Sequence, residues 1–226
     1  TIARDAVIIG HNANATSATG ADNAVAIGLS ATATGGNAVT IGVNTWAGDN
    51  SITIGSESSA ISGSNIAIGR YARVYGDKVT KAVALGQKAE AQVTDGVAIG
   101  SGSIATVKGN SVEGYDPTTG QDSTDGTATW KATNAAVSIG TADGKVTRQI
   151  NGVAAGTNDT DAVNVAQLKS LQSGLTNDLT DKGLKFAANS GAEYTAKLGS
   201  KVTIQSTAKK EGHEYTADNL TTEIDE

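Results

Sequence analysis

The chain has 226 residues, a net charge of −6, 28 glycines, one proline, one phenylalanine, and neither cysteine nor methionine. Aromatic residues at 4% and apolar types at 38% cannot supply the bulky core of a compact domain, and charge at only 18% argues against disorder. The absence of cysteine excludes disulfides, thiolate-held zinc and thiol catalysis, and a pI near 4.9 argues against nucleic acid as a partner.

The first 105 residues are a repeat. Ile-Gly or Leu-Gly ends at Gly10, Gly28, Gly42, Gly55, Gly69, Gly86 and Gly100, and again at Gly140, with spacings of 18, 14, 13, 14, 17, 14 and 40. One residue before the glycine stand Ile27, Ile41, Ile54, Ile68, Leu85 and Ile99; three before it stand Val25, Val39, Ile52, Ile66, Val83 and Val97. Two columns two residues apart carry strand periodicity, and these twelve side chains are expected to form the core of the repeat. After each glycine a second short strand is predicted, with tiny inward residues such as Ala31 and Ala33, Thr45 and Ala47, and Ala89 and Ala91.

Each repeat thus reads as strand, glycine turn, strand, turn. Stacked in parallel at about 4.8 Å per coil, seven coils make a rod of roughly 35 Å. So thin an interior cannot offset backbone ordering at about 1–2 kcal/mol per residue, so the core is expected to be completed between copies in an obligate homo-oligomer. Four side chains near the turns break the small-residue rule: Trp46, Arg70, Tyr71 and Arg73 are candidate exposed contacts.

Residues 106–136 interrupt the period. An excursion that leaves and rejoins a solenoid maps to a surface loop. Within it, Tyr115-Asp116-Pro117-Thr118-Thr119-Gly120 reads as a turn with proline presetting φ, and Tyr115 is a fifth candidate contact.

The last repeat ends at Gly140, and helical spacing follows. Thr160 or Asp161 is the predicted N-cap. Leu168, Leu171, Leu175 and Leu179 step by 3, 4 and 4 as the core of a coiled coil that ends near Gly183. Residues 162–183 span about 33 Å as helix, too short to be stable alone. Asn164, four residues before Leu168, is a candidate axial polar residue, setting register or holding an anion.

At this point a family resemblance is specific. Asn23-Ala24-Val25-Ala26-Ile27-Gly28 and Asn37-Ala38-Val39-Thr40-Ile41-Gly42 resemble head repeats of YadA-like trimeric autotransporter adhesins. The stretch from Tyr115 to Trp130 resembles that family's head insert motif, and residues 148–169 resemble its neck. The resemblance implies a mainly β fold, a trimeric left-handed parallel β-roll head, then a neck, a short trimeric coiled coil and a small β-rich module. It implies boundaries of 1–147 for the head with its insert, 148–167 for the neck, 168–183 for the coiled coil and 184–226 for the module. It also implies a bacterial surface protein, anchored in the outer membrane through a region absent from this chain.

In the final module, strands are expected at 184–188, at Lys201-Val202-Thr203-Ile204-Gln205, and at 213–216. Chemistry is sparse. The two histidines, His11 and His213, lie in different modules and nominate no catalytic group. Gly100-Ser101-Gly102-Ser103-Ile104-Ala105 matches a loose dinucleotide pattern inside the repeat ladder, without the strand–helix context such a motif needs. Asn158, Asp159 and Asp161 lack the spacing of a calcium loop.

No catalytic residue, cofactor or metal is therefore expected, nor a membrane span. The function expected is a non-enzymatic adhesin, a homotrimer that binds host matrix, host cells or other bacteria by multivalent display. The alternative is a structural spacer whose binding site lies elsewhere in a longer protein.

Overall fold

A computed structural model describes residues 4–16, 23–76, 78–187 and 192–203. Two compact units divide it, Thr1–Ile150 and Asn151–Glu226. The first is a parallel β-solenoid whose coils each contribute a longer and a shorter strand: β1 (Val7–Ile9) and β2 (Asn14–Ala15), β3 (Val25–Ile27) and β4 (Thr32–Ala33), β5 (Val39–Ile41) and β6 (Trp46–Ala47), β7 (Ile52–Ile54) and β8 (Ser59–Ala60). The series continues with β9 (Ile66–Ile68) and β10 (Arg73–Val74), β11 (Val83–Leu85) and β12 (Glu90–Ala91), β13 (Val97–Ile99) and β14 (Ile104–Ala105). The longer strands stack in parallel into one sheet and the shorter ones into a second.

Glycine sets the corner between the two sheets because nothing larger fits. Gly28 has φ +133, and a Cβ there would lie 2.2 Å from the carbonyl oxygen of Gly42 in the next coil. Two residues on, the chain again takes positive φ, at Asn12, Ser30, Asn44, Glu57, Tyr71 and Lys88. At the opposite corner Asn23, Asn37 and Asn50 do the same, and the Asn37 amide donates to Asn50 Oδ1 at 3.0 Å. Asparagine tolerates this conformation better than most residues.

The interior is lined by small side chains. Ala33, Ala47, Ala60 and Ala91 of the short strands are fully buried, as the sequence predicts. Facing them are Ala26, Thr40, Thr53, Ala67, Ala84 and Ala98, the middle residues of the long strands, equally buried. This corrects the expected core. Val25, Ile27, Val39, Ile41, Ile52, Ile54, Ile66, Ile68, Val83, Leu85, Val97 and Ile99 alternate with those middle residues, so strand geometry turns them to the outside. The sheets pack through Ala, Ser and Thr, and a gap of that width has no room for Ile.

Polar interior groups are mostly paired. Thr40 donates to the Thr45 hydroxyl, which donates to the Gly42 carbonyl at 3.2 Å. Thr53 Oγ1 has no partner. Where the repeat lengthens to 17 residues, buried Asn65 stitches the widened turn: its amide donates to Val79 O at 2.9 Å and its Oδ1 accepts from Ala82 N at 2.9 Å.

The insert forms a small antiparallel hairpin, β15 (Tyr115–Asp116) with β16 (Gln121–Asp122), and returns through β17 (Val137–Ser138), which pairs in parallel with β13. In the second unit, helix α1 spans Val165–Lys182. Its N-cap is Asn164, which corrects the predicted start at Thr160 or Asp161. After Gly183, β18 (Leu184–Phe186) pairs antiparallel with β19 (Tyr194–Ala196). Residues 201–203 are not strand, against expectation, because the partner of β18 comes earlier in the chain; 204–205 and 213–216 lie outside the described residues.

Candidate functional site

The long-strand sheet presents a ribbed apolar face. Its ladders run Val25, Val39, Ile52, Ile66, Val83, Val97 and Ile27, Ile41, Ile54, Ile68, Leu85, Ile99, each in register with the next coil. Ile41, Ile54, Leu85 and Ile99 retain 36–42% of their surface. Stacking within the ladder covers the rest. A continuous apolar strip of this kind is rare on a monomer and marks an association surface.

The short-strand sheet presents the opposite face, and there the candidate contacts gather. Trp46 is exposed on β6, its indole N–H donating to Thr34 Oγ1 at 3.2 Å. Arg73 is exposed on β10, two strands along the same ladder. Arg70 sits at the preceding corner with its guanidinium 4.6 Å from the centre of the Tyr71 ring. Tyr75 and Ile61, both exposed on this side, escaped the sequence reading.

Tyr115 is exposed on the separate hairpin. There the Asp116 carboxylate accepts from the Thr118 hydroxyl at 2.7 Å and the Thr118 amide at 2.8 Å, which fixes the turn and holds its pKa below the ordinary carboxylate value.

Arg148 closes the solenoid. Its guanidinium donates to Ser103 Oγ at 2.9 Å, to Ser101 O at 2.6 Å and to Ile139 O. It thereby supplies donors to groups at the last coil that a further coil would otherwise meet. The repeat pattern held no sign of this, because the three acceptors lie 9 to 47 residues away in sequence.

In the second unit, Asn164 and Gln167 form a capping box. Asn164 Oδ1 accepts from Gln167 N at 3.0 Å, and Gln167 Oε1 accepts from Asn164 N at 3.2 Å. The same Gln167 side chain accepts from Gly156 N at 3.1 Å and donates to Gly156 O at 3.0 Å, clasping the preceding loop to the helix. The Asn-x-x-Gln spacing was a readable signal for this. Asn164 Nδ2 donates to Val153 O at 3.3 Å, so within one chain its side chain serves the helix start.

Asp161 stabilises the loop before it. It accepts from Asn158 N at 2.9 Å and Thr157 N at 2.8 Å, bonds that hold its pKa down. Leu168, Leu171 and Leu175 are 56–60% exposed along α1, and Leu179 continues the series within the helix.

No group of three potential metal ligands occurs among the described residues, and no described helix is long and apolar enough to cross a membrane. Gly100-Ser101-Gly102-Ser103 forms the corner between β13 and β14, and Ile104-Ala105 is β14 itself, with no helix after it.

Comparison with known proteins places these features. Residues 149–191 match the family model described as the coiled stalk of trimeric autotransporter adhesin. Over 76 residues, 34% of this chain, the sequence is 53% identical to autotransporter adhesin BadA of Bartonella henselae, of which the match covers 2%. The crystal structure of the collagen-binding domain of Yersinia adhesin YadA aligns with a TM-score of 0.50 at 28% identity, covering 75% of this chain and 76% of that one. The parallel β-solenoid is therefore the fold of that head domain.

Proposed function

We propose that this chain is a trimeric autotransporter adhesin, three copies of which assemble through their Val/Ile faces into one head, displayed on a bacterial surface for attachment. The observation that carries this reading is the apolar ladder on the outside of each solenoid, which only a second protein surface can cover. The exposed Leu168, Leu171 and Leu175 support self-association of the helix as well, as a short coiled coil. In this reading 1–147 is the head with its 106–136 insert, 148–167 the neck, 168–183 the coiled coil and 184–226 a β-rich stalk module.

The function is non-enzymatic. Three equal faces bearing Trp46, Arg70, Tyr71, Arg73 and Tyr115 would raise avidity for a repetitive matrix ligand without any single strong site. Collagen is the first ligand to test, since the structurally similar Yersinia domain is a collagen-binding one.

The experiment is binding of the purified chain to immobilised matrix proteins and to cells, paired with sedimentation. Saturable binding by a species of three times 22.6 kDa supports the proposal. A trimer that binds nothing, while a longer piece of the protein does, favours the spacer reading.

A further inference from the structure

One coil of the solenoid departs from the chain's acidic balance. Arg70, Arg73, Lys78, Lys81 and Lys88 fall within 19 residues of a chain that has 17 Lys and Arg in all, and Asp77 is the one acid among them. We propose that this coil, from Gly69 to Lys88 with the recess beside it, binds a sulfated linear polysaccharide. The inference goes beyond the assembly and matrix reading above and does not depend on collagen as a ligand.

The cations lie along a path. Arg70 and Tyr71 occupy one corner, Arg73 and Tyr75 the outer side of the short-strand sheet, and Lys78 the opposite corner. There Lys78 and Lys108 line one recess with Gln92 and Thr94. Among the described residues, none of these six Lys and Arg side chains forms an ion pair. Glu90, beside Arg73 in the ladder, is the nearby carboxylate on that face, and it accepts from Gln92 Nε2 at 3.0 Å. Glu57 stands at the corner below Tyr71.

The spacing selects the ligand's shape. Arg70 stands at the corner and Arg73 on the strand that leaves it, and the path continues past Tyr75 to Lys78. Such a row suits an extended polymer with regularly placed anions, not a compact phosphate, which needs converging donors. Guanidinium groups meet sulfate oxygens in a bidentate fork. The exposed Tyr75 ring offers a face on which a sugar ring can stack. A nucleic acid fits less well. Its dense charge would extend over the rest of a chain of net charge −6, and two tyrosines make a poor base-stacking platform.

The test uses the full chain and a size-defined heparin fragment, with affinity measured at several salt concentrations. The wild type should bind saturably, with affinity falling as salt rises. The variant Arg73→Gln/Lys78→Gln/Lys108→Gln should lose about tenfold or more and show a shallower salt slope, since three anion contacts are gone. Lys145→Gln/Lys169→Gln/Lys182→Gln carries the same charge change elsewhere and should bind like wild type. All six side chains are solvent-facing, and unchanged circular dichroism should attest the fold.

Absence of heparin binding overturns the proposal. So does equal loss in both triple variants, which would reduce the effect to net charge. Retained binding after complete desulfation, or equal affinity for single-stranded DNA of matched length, overturns it as well.

Discussion

Ile54→Asp tests the outward apolar face most sharply. Ile54 stands mid-ladder between Ile41 and Ile68 and keeps 37% of its surface in the single chain. Full burial of such a side chain contributes about 1.5–3 kcal/mol, so covering the remaining third by a neighbour contributes about 0.5–1 kcal/mol per copy. A desolvated aspartate adds a penalty of several kcal/mol per ion, roughly 3, before any repulsion among copies. With three copies the assembly should lose on the order of 10 kcal/mol. On a solitary solenoid the same change would be a surface substitution within about 0.5–1 kcal/mol. Sedimentation velocity separates the cases, with Arg70→Asp, at the corner between β9 and β10, as the comparison. The variant should leave the trimer while Arg70→Asp stays in it. An Ile54→Asp protein that sediments and melts like wild type would refute the reasoning, as would a stable wild-type monomer.

Other outcomes follow from single contacts. Thr53→Val should be neutral or stabilise by about 1 kcal/mol, because it removes an unpartnered buried hydroxyl. Thr40→Val should destabilise by about 1–2 kcal/mol, because it breaks the bond to Thr45; the order of the two melting temperatures decides. Arg148→Gln should open the last coil, lowering amide protection at Ser103 and Ile104 while leaving the coils around Thr40 protected, as nearest-neighbour coupling in a solenoid requires. Asp143, held by Lys145 and then by the Thr141 hydroxyl, has its pKa lowered to about 2. Its contribution to stability is therefore complete above the ordinary value of 3.8 and is lost as pH falls through about 2. An NMR titration of its carboxyl carbon that shows a midpoint near 3.8 would contradict that contact.

The repeat was legible because its columns are strict. Spacing alone located the glycine corners, both strands of each coil and the buried Ala33, Ala47 and Ala60. The facing of the long strand was misread because bulk was equated with core. The columns flanking Val25, Ala24 and Ala26, are as small as Ala31 and Ala33 across the gap, and that match between small columns identifies the interior. Side chains near the insert and the neck were harder to place. Arg148 and Asn65 act over sequence distances that no local pattern records. The helix start was misplaced because Asp161 resembles a cap yet serves the turn at Asn158, while Asn164 does the capping.

The inter-coil hydrogen bonds run along the solenoid axis. Between two coils, Val25 N meets Ala38 O, Gly42 N meets Ile27 O, Asn44 N meets Leu29 O, Thr32 N meets Thr45 O and Thr34 N meets Ala47 O, at 2.8–2.9 Å. A pull along the axis would enter each coil where the chain leaves it and load the rungs nearest that point first. Coils would then peel one after another, so resistance to tension depends on the few rungs under load and not on how many coils are stacked.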